Sequence, residues 1–301
     1  METESYRQIM EPYSYPLNST GNKTFLGNAH DKKCIFCGKT EQEVTFKKEA
    51  HVIPAALGNR TLFNLDECDR CNEDYFSIHE NELVNFLMMD RIFIRARKRS
   101  GSPKYKPSKG ESFIEGKTGS NHVHLSMLEG EDSFEIEDFE NENKMVLTIN
   151  DVPPYCPADV CKCLTHMGWS LLSEEKRKKI AYVPEWLLGK IEFFPLYLDI
   201  AFVPGNGYSN VILELWESVD EQANYPIAIR FTFGLKILTF YLPGNPEADA
   251  PLVRNESYFQ IPEGIDINVD GMKILNNERL KPGKQNYTWR YRTKGDNEKV
   301  T

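Results

Sequence analysis

The chain has no apolar run long enough to span a bilayer, so no membrane-spanning helix and no membrane partner is expected. Met1 to Ser14 shows no basic stretch followed by an apolar one, so no secretory signal is expected, and the expected localisation is cytoplasmic. The asparagine sequons, such as Asn18-Ser19-Thr20 and Asn255-Glu256-Ser257, are then chance matches. The seven cysteines are expected as thiols or metal ligands, not disulfides. No internal repeat is present. Two stretches lack charge of one sign. Arg91 to Lys109 holds no acid, and Glu129 to Glu142 holds no base.

What is there belongs to a globular protein. The 301 residues are 40% hydrophobic and 12% aromatic, enough for a sizeable core and about two domains. The net charge of −9 argues against a polyanionic partner, but the acid-free stretch alone carries +8, which leaves −17 on the rest. A local basic arm on an acidic chain is an electrostatic footprint for phosphate.

The most informative motif is Cys34-x-x-Cys37 with Cys68-x-x-Cys71, with His51 between the pairs and Asn72 directly after the last thiol. Two such knuckles hold one tetrahedral Zn²⁺ with no open position, which makes the metal structural. Four segments follow. Residues 1–30 read as an N-terminal arm and 31–90 as the cysteine module. Residues 91–150 combine the basic arm with an acidic β segment, and 151–301 form a larger domain of helices and mostly antiparallel strands. In the module, Val44–Ile53 and Thr61–Leu65 read as strands, and Asn72–Met89 as a helix. The fold class is therefore α+β, with a zinc-stabilised ββα unit at its N-terminal end. Pro157 opens an amphipathic helix. Ile191–Val203, Asn210–Trp216, Pro226–Leu242, Ser257–Ile261 and Tyr287–Arg292 carry strand signals.

A histidine pinned beside oxygen ligands suits phosphodiester hydrolysis. Neutral imidazole near pH 7 is a general base for water, and Mg²⁺ needs only one or two protein oxygens. The side-chain oxygen of Asn72 is one candidate, and Asn64 is placed to orient His51. The ordered set of Cys34-Ile-Phe-Cys37-Gly, Glu49-Ala50-His51-Val52-Ile53-Pro54, Leu57-Gly-Asn59, Asn64-Leu65 and Cys68-Asp-Arg-Cys71-Asn72 resembles the HNH (His-Me finger) endonucleases in their two-knuckle zinc form. It is similar to phage resolvase-type and bacterial restriction or defence members. The resemblance covers about residues 31–90. It implies a ββα-metal fold, His51 as general base, Asn64 as its orienting residue, and Asn72 as ligand of a catalytic Mg²⁺ or Mn²⁺.

In that family an acidic or histidine ligand usually stands directly before the catalytic histidine, and here the position is Ala50. Either Glu49 reaches the metal through a bulge, or Asp66, Asp69 or Glu73 replaces it, or Asn72 and water hold the ion. DNA is the expected partner, with phosphates held by Lys47, Lys48, Arg60, Arg70, Arg91, Arg95, Arg97, Lys98 and Arg99. A protein partner or self-association is assigned to 151–301. A zinc-dependent nucleic-acid-binding protein without cleavage is the main alternative. Cys156, Cys161, Cys163 and His166 read as core residues, not a second zinc site. His79 reads as helix core. The acidic run reads as a solvated hairpin or as a phosphate mimic that docks on the basic arm.

Overall fold

Short β-branched and aromatic runs, broken by Pro, Gly and Asn, divide the chain into many small strands. The structure is a computed structural model and describes residues 6–97, 101–120, 122–203, 207–248, 252 and 268–290. The first third gives β1 (Tyr6–Gln8), β2 (Tyr13–Pro16), β3 (Thr24–Leu26), β4 (Ala50–His51) and β5 (Leu62–Asn64). Helices α1 (Asp69–Cys71), α2 (Ser77–Phe86) and α3 (Met88–Phe93) follow, with a π-helical turn at Asn72–Phe76 joining the first two. Strands β6 (Lys104–Tyr105), β7 (Phe113–Gly116), β8 (Val123–Ser126), β9 (Phe134–Phe139) and β10 (Lys144–Ile149) make up the middle. The last half holds α4 (Pro157–Leu171), α5 (Glu174–Arg177) and α6 (Val183–Leu187). Strands β11 (Leu196–Phe202), β12 (Asn210–Ser218), β13 (Ile227–Phe233), β14 (Lys236–Leu242), β15 (Asn268–Ile274) and β16 (Gln285–Arg290) complete it.

A seven-stranded antiparallel sheet runs β1-β12-β13-β14-β11-β15, with β2 also on β12. Strand β14 is buried along its whole length, including Lys236 and Thr239, as a strand covered on both faces is. The N-terminal arm is stitched in at two places: β1 and β2 pair with β12, while β3 runs parallel to β5. Helix α4 lies on the sheet so closely that a Cβ at Gly168 would come within 2.5 Å of Ile229.

One apolar core runs through the cysteine module and the large sheet alike. It joins Val52, Leu62, Phe76 and Leu83 to Leu164, Met167, Leu215 and Phe240. Buried polar ties cross the same junction. Glu67 meets His166 at 2.8 Å with both side chains almost fully enclosed. Burial raises the Glu67 carboxyl; for His166 burial works downward, but the adjacent Glu67 wins and holds the ring up. His79 Nδ1 lies 3.0 Å from Asp159, which fits its reading as helix core. Glu82 accepts the Cys156 amide at 2.8 Å, and Asp90 pairs with Lys236 and accepts the Leu235 amide at 3.2 Å.

Several expected elements are corrected. Val44–Ile53 forms a strand only at Ala50–His51, because Thr45 Oγ1 and the Lys47 and Lys48 amides donate to Asp69, which removes the donors a longer ladder would use. Pro226–Leu242 is two strands, turned at Gly234, whose φ is +61°. Ser257–Ile261 lies outside the described residues. The acidic run forms a solvated hairpin edge on β9. Glu135 pairs with Lys284, Glu142 with Lys144, and Glu131 accepts the Glu111 and Ser112 amides. Cys161 and Cys163 are fully buried on α4, where burial raises both thiols well above their ordinary range.

Gly116 of β7 sets the seat of α3. A Cβ there would lie 2.0 Å from the Ile92 carbonyl oxygen, a backbone atom that cannot swing aside. Gly116→Ala should cost about 1–3 kcal/mol of stability. Its urea midpoint should fall with an unchanged slope; an unchanged midpoint would contradict the packing described.

Candidate functional site

The site begins with sulfur. In the first knuckle the Gly38 amide returns to the Cys34 carbonyl at 2.9 Å, with Gly38 at φ +72°, a turn glycine adopts without strain. In the second, Cys68 caps α1 and Cys71 ends it. The four Sγ atoms lie within 4.8 Å of one another, with Cys34–Cys71 at 3.8 Å and Cys37–Cys68 at 3.7 Å. A tetrahedral Zn²⁺ with bonds of about 2.3 Å needs sulfur edges of about 3.8 Å, so the cluster fits that ion. Hydrogen bonds from Cys34 and Cys71 draw the Cys68 thiol down, while the same contacts push Cys71 up.

The clamp positions two elements around a cleft of about 790 Å³. From β4 comes His51, half-buried, its ring 4.7 Å from Phe63. From the π turn comes Asn72, followed by Glu73 and, on α2, Glu80. A π turn widens the helix locally and recurs at functional sites. Arg91 of α3 closes the cleft. It is only 4% exposed, its Nε donates to the Ala56 carbonyl at 3.0 Å, and burial lowers it to about 10. Lys48 and Glu49 stand at the rim.

One expected role is corrected. Asn64 does not orient His51. The β4–β5 register pairs Ala50 with Asn64 and His51 with Phe63, so the pleat puts Asn64 on the face opposite His51. Asn64 donates instead to Ser170 Oγ at 3.3 Å and accepts the Asp66 amide at 3.0 Å. The same alternation buries Ala50, so the position before His51 points into the core. Glu49 borders the cleft but is held by Lys23 at 2.7 Å. Of the substitutes, Asp69 is committed to the 45–48 loop and Asp66 accepts the Asn28 amide. Glu73 alone of the three lines the cleft, ion-paired to Lys48.

The cations divide. Lys47 and Arg70 are exposed, Arg70 with Asp74 at 3.5 Å. Arg60 is tied to the carbonyls of Ala55, Asn59 and Arg97, which makes it a brace of the loop. Arg97 is exposed beside it, around a small hollow shared with Lys23. Arg95 borders a different cavity. Lys98 and Arg99 lie outside the described residues.

Two residues went unread in the sequence. Asn59, fully buried, donates to the Ile53 and Leu62 carbonyls and accepts the Thr61 and Leu62 amides, which fixes the loop between the two strands. Its signals were the turn at Gly58-Asn59 and its place in the Leu57-Gly-Asn59 motif, neither of which gave it a role. Glu80 lies eight residues beyond Asn72 on the same helical run, a spacing that nearly repeats the face.

Residues 34–88 match the family described as HNH endonuclease. No curated protein and no solved structure matches the chain.

Burial pushes the Glu80 carboxyl up from 4.5 to about 7, with His166 opposing and Glu67 assisting. A carboxyl raised on folding holds its proton more tightly in the folded state. Its ionisation therefore opposes folding increasingly as pH rises from the unfolded value to the folded one. Without added divalent cation, Glu80→Gln should be the more stable protein. The advantage should open between about pH 4.5 and pH 7 and then level at about 1–3 kcal/mol. Denaturation at pH 4.5, 6 and 8 measures it, and a gap independent of pH would show that Glu80 titrates normally.

Proposed function

We propose that this protein is a divalent-metal-dependent nuclease that hydrolyses DNA phosphodiester bonds, with restriction or phage defence as the setting its resemblance implies. The observation that carries the reading is the cleft that unites His51, Asn72, Glu73 and Arg91 beside a four-sulfur cluster, within a segment that matches the HNH endonuclease family. The cysteines hold Zn²⁺ as scaffold. Asn72 and Glu73 supply oxygen to Mg²⁺ or Mn²⁺, and Glu49 can join them if it releases Lys23. When bound, that ion neutralises charge on the scissile phosphate and its leaving oxygen.

His51 takes the proton from a water molecule as the water oxygen attacks phosphorus. The P–O bond to the leaving oxygen then breaks, and that oxygen is protonated from solvent. Arg91, a desolvated guanidinium fixed by the Ala56 carbonyl, faces the phosphate from a third side, and Lys48 steers it in from the rim. Buried Phe63 backs the His51 ring. Four cysteines on zinc and three buried thiols fit a reducing compartment such as the cytoplasm. Among the described residues no helix is long and apolar enough to cross a membrane. A reading as a DNA-binding protein without cleavage draws on the buried Ala50 and on the Glu49–Lys23 pair, which together leave the cleft short of one acidic ligand.

Supercoiled plasmid with Mg²⁺ or Mn²⁺ separates the two. Nicking should fall at least about 100-fold in His51→Ala while DNA binding persists. Binding without nicking in the wild-type protein would favour the alternative.

The scaffold has its own test. Purified protein should carry one equivalent of zinc by elemental analysis. A Cys37→Ser variant, or strong chelation, should cost much of the folding free energy, since structural zinc contributes on the order of 10 kcal/mol. Full stability of a zinc-free chain would rule the clamp out.

A further inference from the structure

Helix α3 and its C-terminal turn border two cavities. Arg91 faces the cleft, while Phe93 and Arg95 line a second space of about 660 Å³, beyond the segment that matches the HNH family. That volume falls within the range of about 300–1,000 Å³ typical of small-ligand sites. Most of its wall comes from β7, β8, β9, β10 and β16, and the side chains those strands contribute are apolar. Ile136 is 46% exposed and Trp289 is 37% exposed, so the lining is open to solvent. Phe93 stands edge-on to Trp289 at 5.3 Å and to Tyr287 at 4.6 Å, which braces the indole from one side.

Among the described residues, Arg95 is the only charged side chain on this wall. Its backbone is left-handed, with φ +57°. The Arg95 amide returns to the Ile92 carbonyl at 3.1 Å and the Ala96 amide to the Arg91 carbonyl at 2.8 Å, the pattern that ends a helix on a position usually held by glycine. An arginine stands here against the preference of the backbone, and that conformation puts it at the cavity. Strain of this kind gathers at functional sites.

An exposed indole, apolar walls and one guanidinium match a flat aromatic ring that carries a single anionic group. Stacked bases on aromatic side chains, with phosphate on arginine, are the usual chemistry of single-strand binding. Arg91 and Arg95 stand four residues apart at the end of α3, the first on the cleft and the second on this cavity, so a strand held in the cleft has a second cation close by in the chain. We propose that this second cavity takes an unpaired nucleobase of the DNA strand held in the cleft, stacked at Trp289 with its phosphate on Arg95. The proposal rests on the DNA contact inferred above and not on cleavage. Its consequence is a substrate class: DNA with an unpaired nucleotide close to the cut.

The test uses the full chain in a His51→Ala background, so that the probe survives. Labelled single-stranded oligonucleotide and its duplex are compared by anisotropy, in the parent and in Arg95→Gly and Trp289→Ala. Glycine suits the left-handed position, so Arg95→Gly deletes the guanidinium without strain on the fold. Either substitution should lower the ratio of single-strand to duplex affinity at least about fivefold, and Trp289→Phe should restore it, as a stacking contact requires. A free mononucleotide should compete at least about tenfold more weakly than the strand. An unchanged ratio in both variants overturns the proposal, and so does a mononucleotide that competes as well as the strand. If the parent binds duplex DNA normally while the ratio does not move, only this inference fails. If it binds no DNA at all, the nuclease reading fails with it.

Discussion

The four-sulfur cluster is the constraint on which the site depends. Strand β4 is two residues long, and a ladder that short does not hold itself in water. Three devices replace the missing ladder. The thiols pin the first knuckle to the start of α1, Asp69 gathers the 45–48 loop, and Asn59 ties both ends of the loop between β4 and β5. His51 and Asn72 then face one cleft because each follows directly from a fixed point, not because regular secondary structure carries them there. The charge pattern inside the cleft follows from the same enclosure. Burial disfavours the charged form of both side chains, yet Arg91, lowered only to about 10, stays charged at neutral pH, while Glu80, raised to about 7, is the group a cationic guest would ionise.

The module is not isolated from the rest of the chain. Buried ion pairs and a common core bind it to α4 and to the large sheet, and the N-terminal strands bridge both. The second half of the sequence thus forms the wall against which the HNH segment packs.

Much of the site was legible in the sequence because its determinants are local. Cysteine spacing announced the cluster, and the helix after Cys71 followed from apolar periodicity. The α+β class and the antiparallel character of the second half were also legible, from alternation and turn residues. What was hidden depended on register and on long-range packing. Asn64 looked like a partner for His51, yet a strand position says nothing about which face it takes until its neighbour is known, and Phe63 holds that face. Arg91 read as the start of a flexible basic arm because its charge outweighed its place on an apolar helix. Glu80 gave only its helical spacing from Asn72, since its altered acidity arises from burial against residues far along the chain. The same holds for the aromatic cavity, whose walls come from five strands spread over Phe113–Arg290.

The shared core has a consequence for how such a protein can change. Cut free, residues 34–88 would bare Phe76, Leu83 and Leu87 to solvent and strand the Glu67 carboxyl without its imidazole. The HNH segment here is therefore no portable cassette. A lineage that transplanted it would have to carry α4 along, so shuffling of the segment and divergence of its supporting wall become one inherited event.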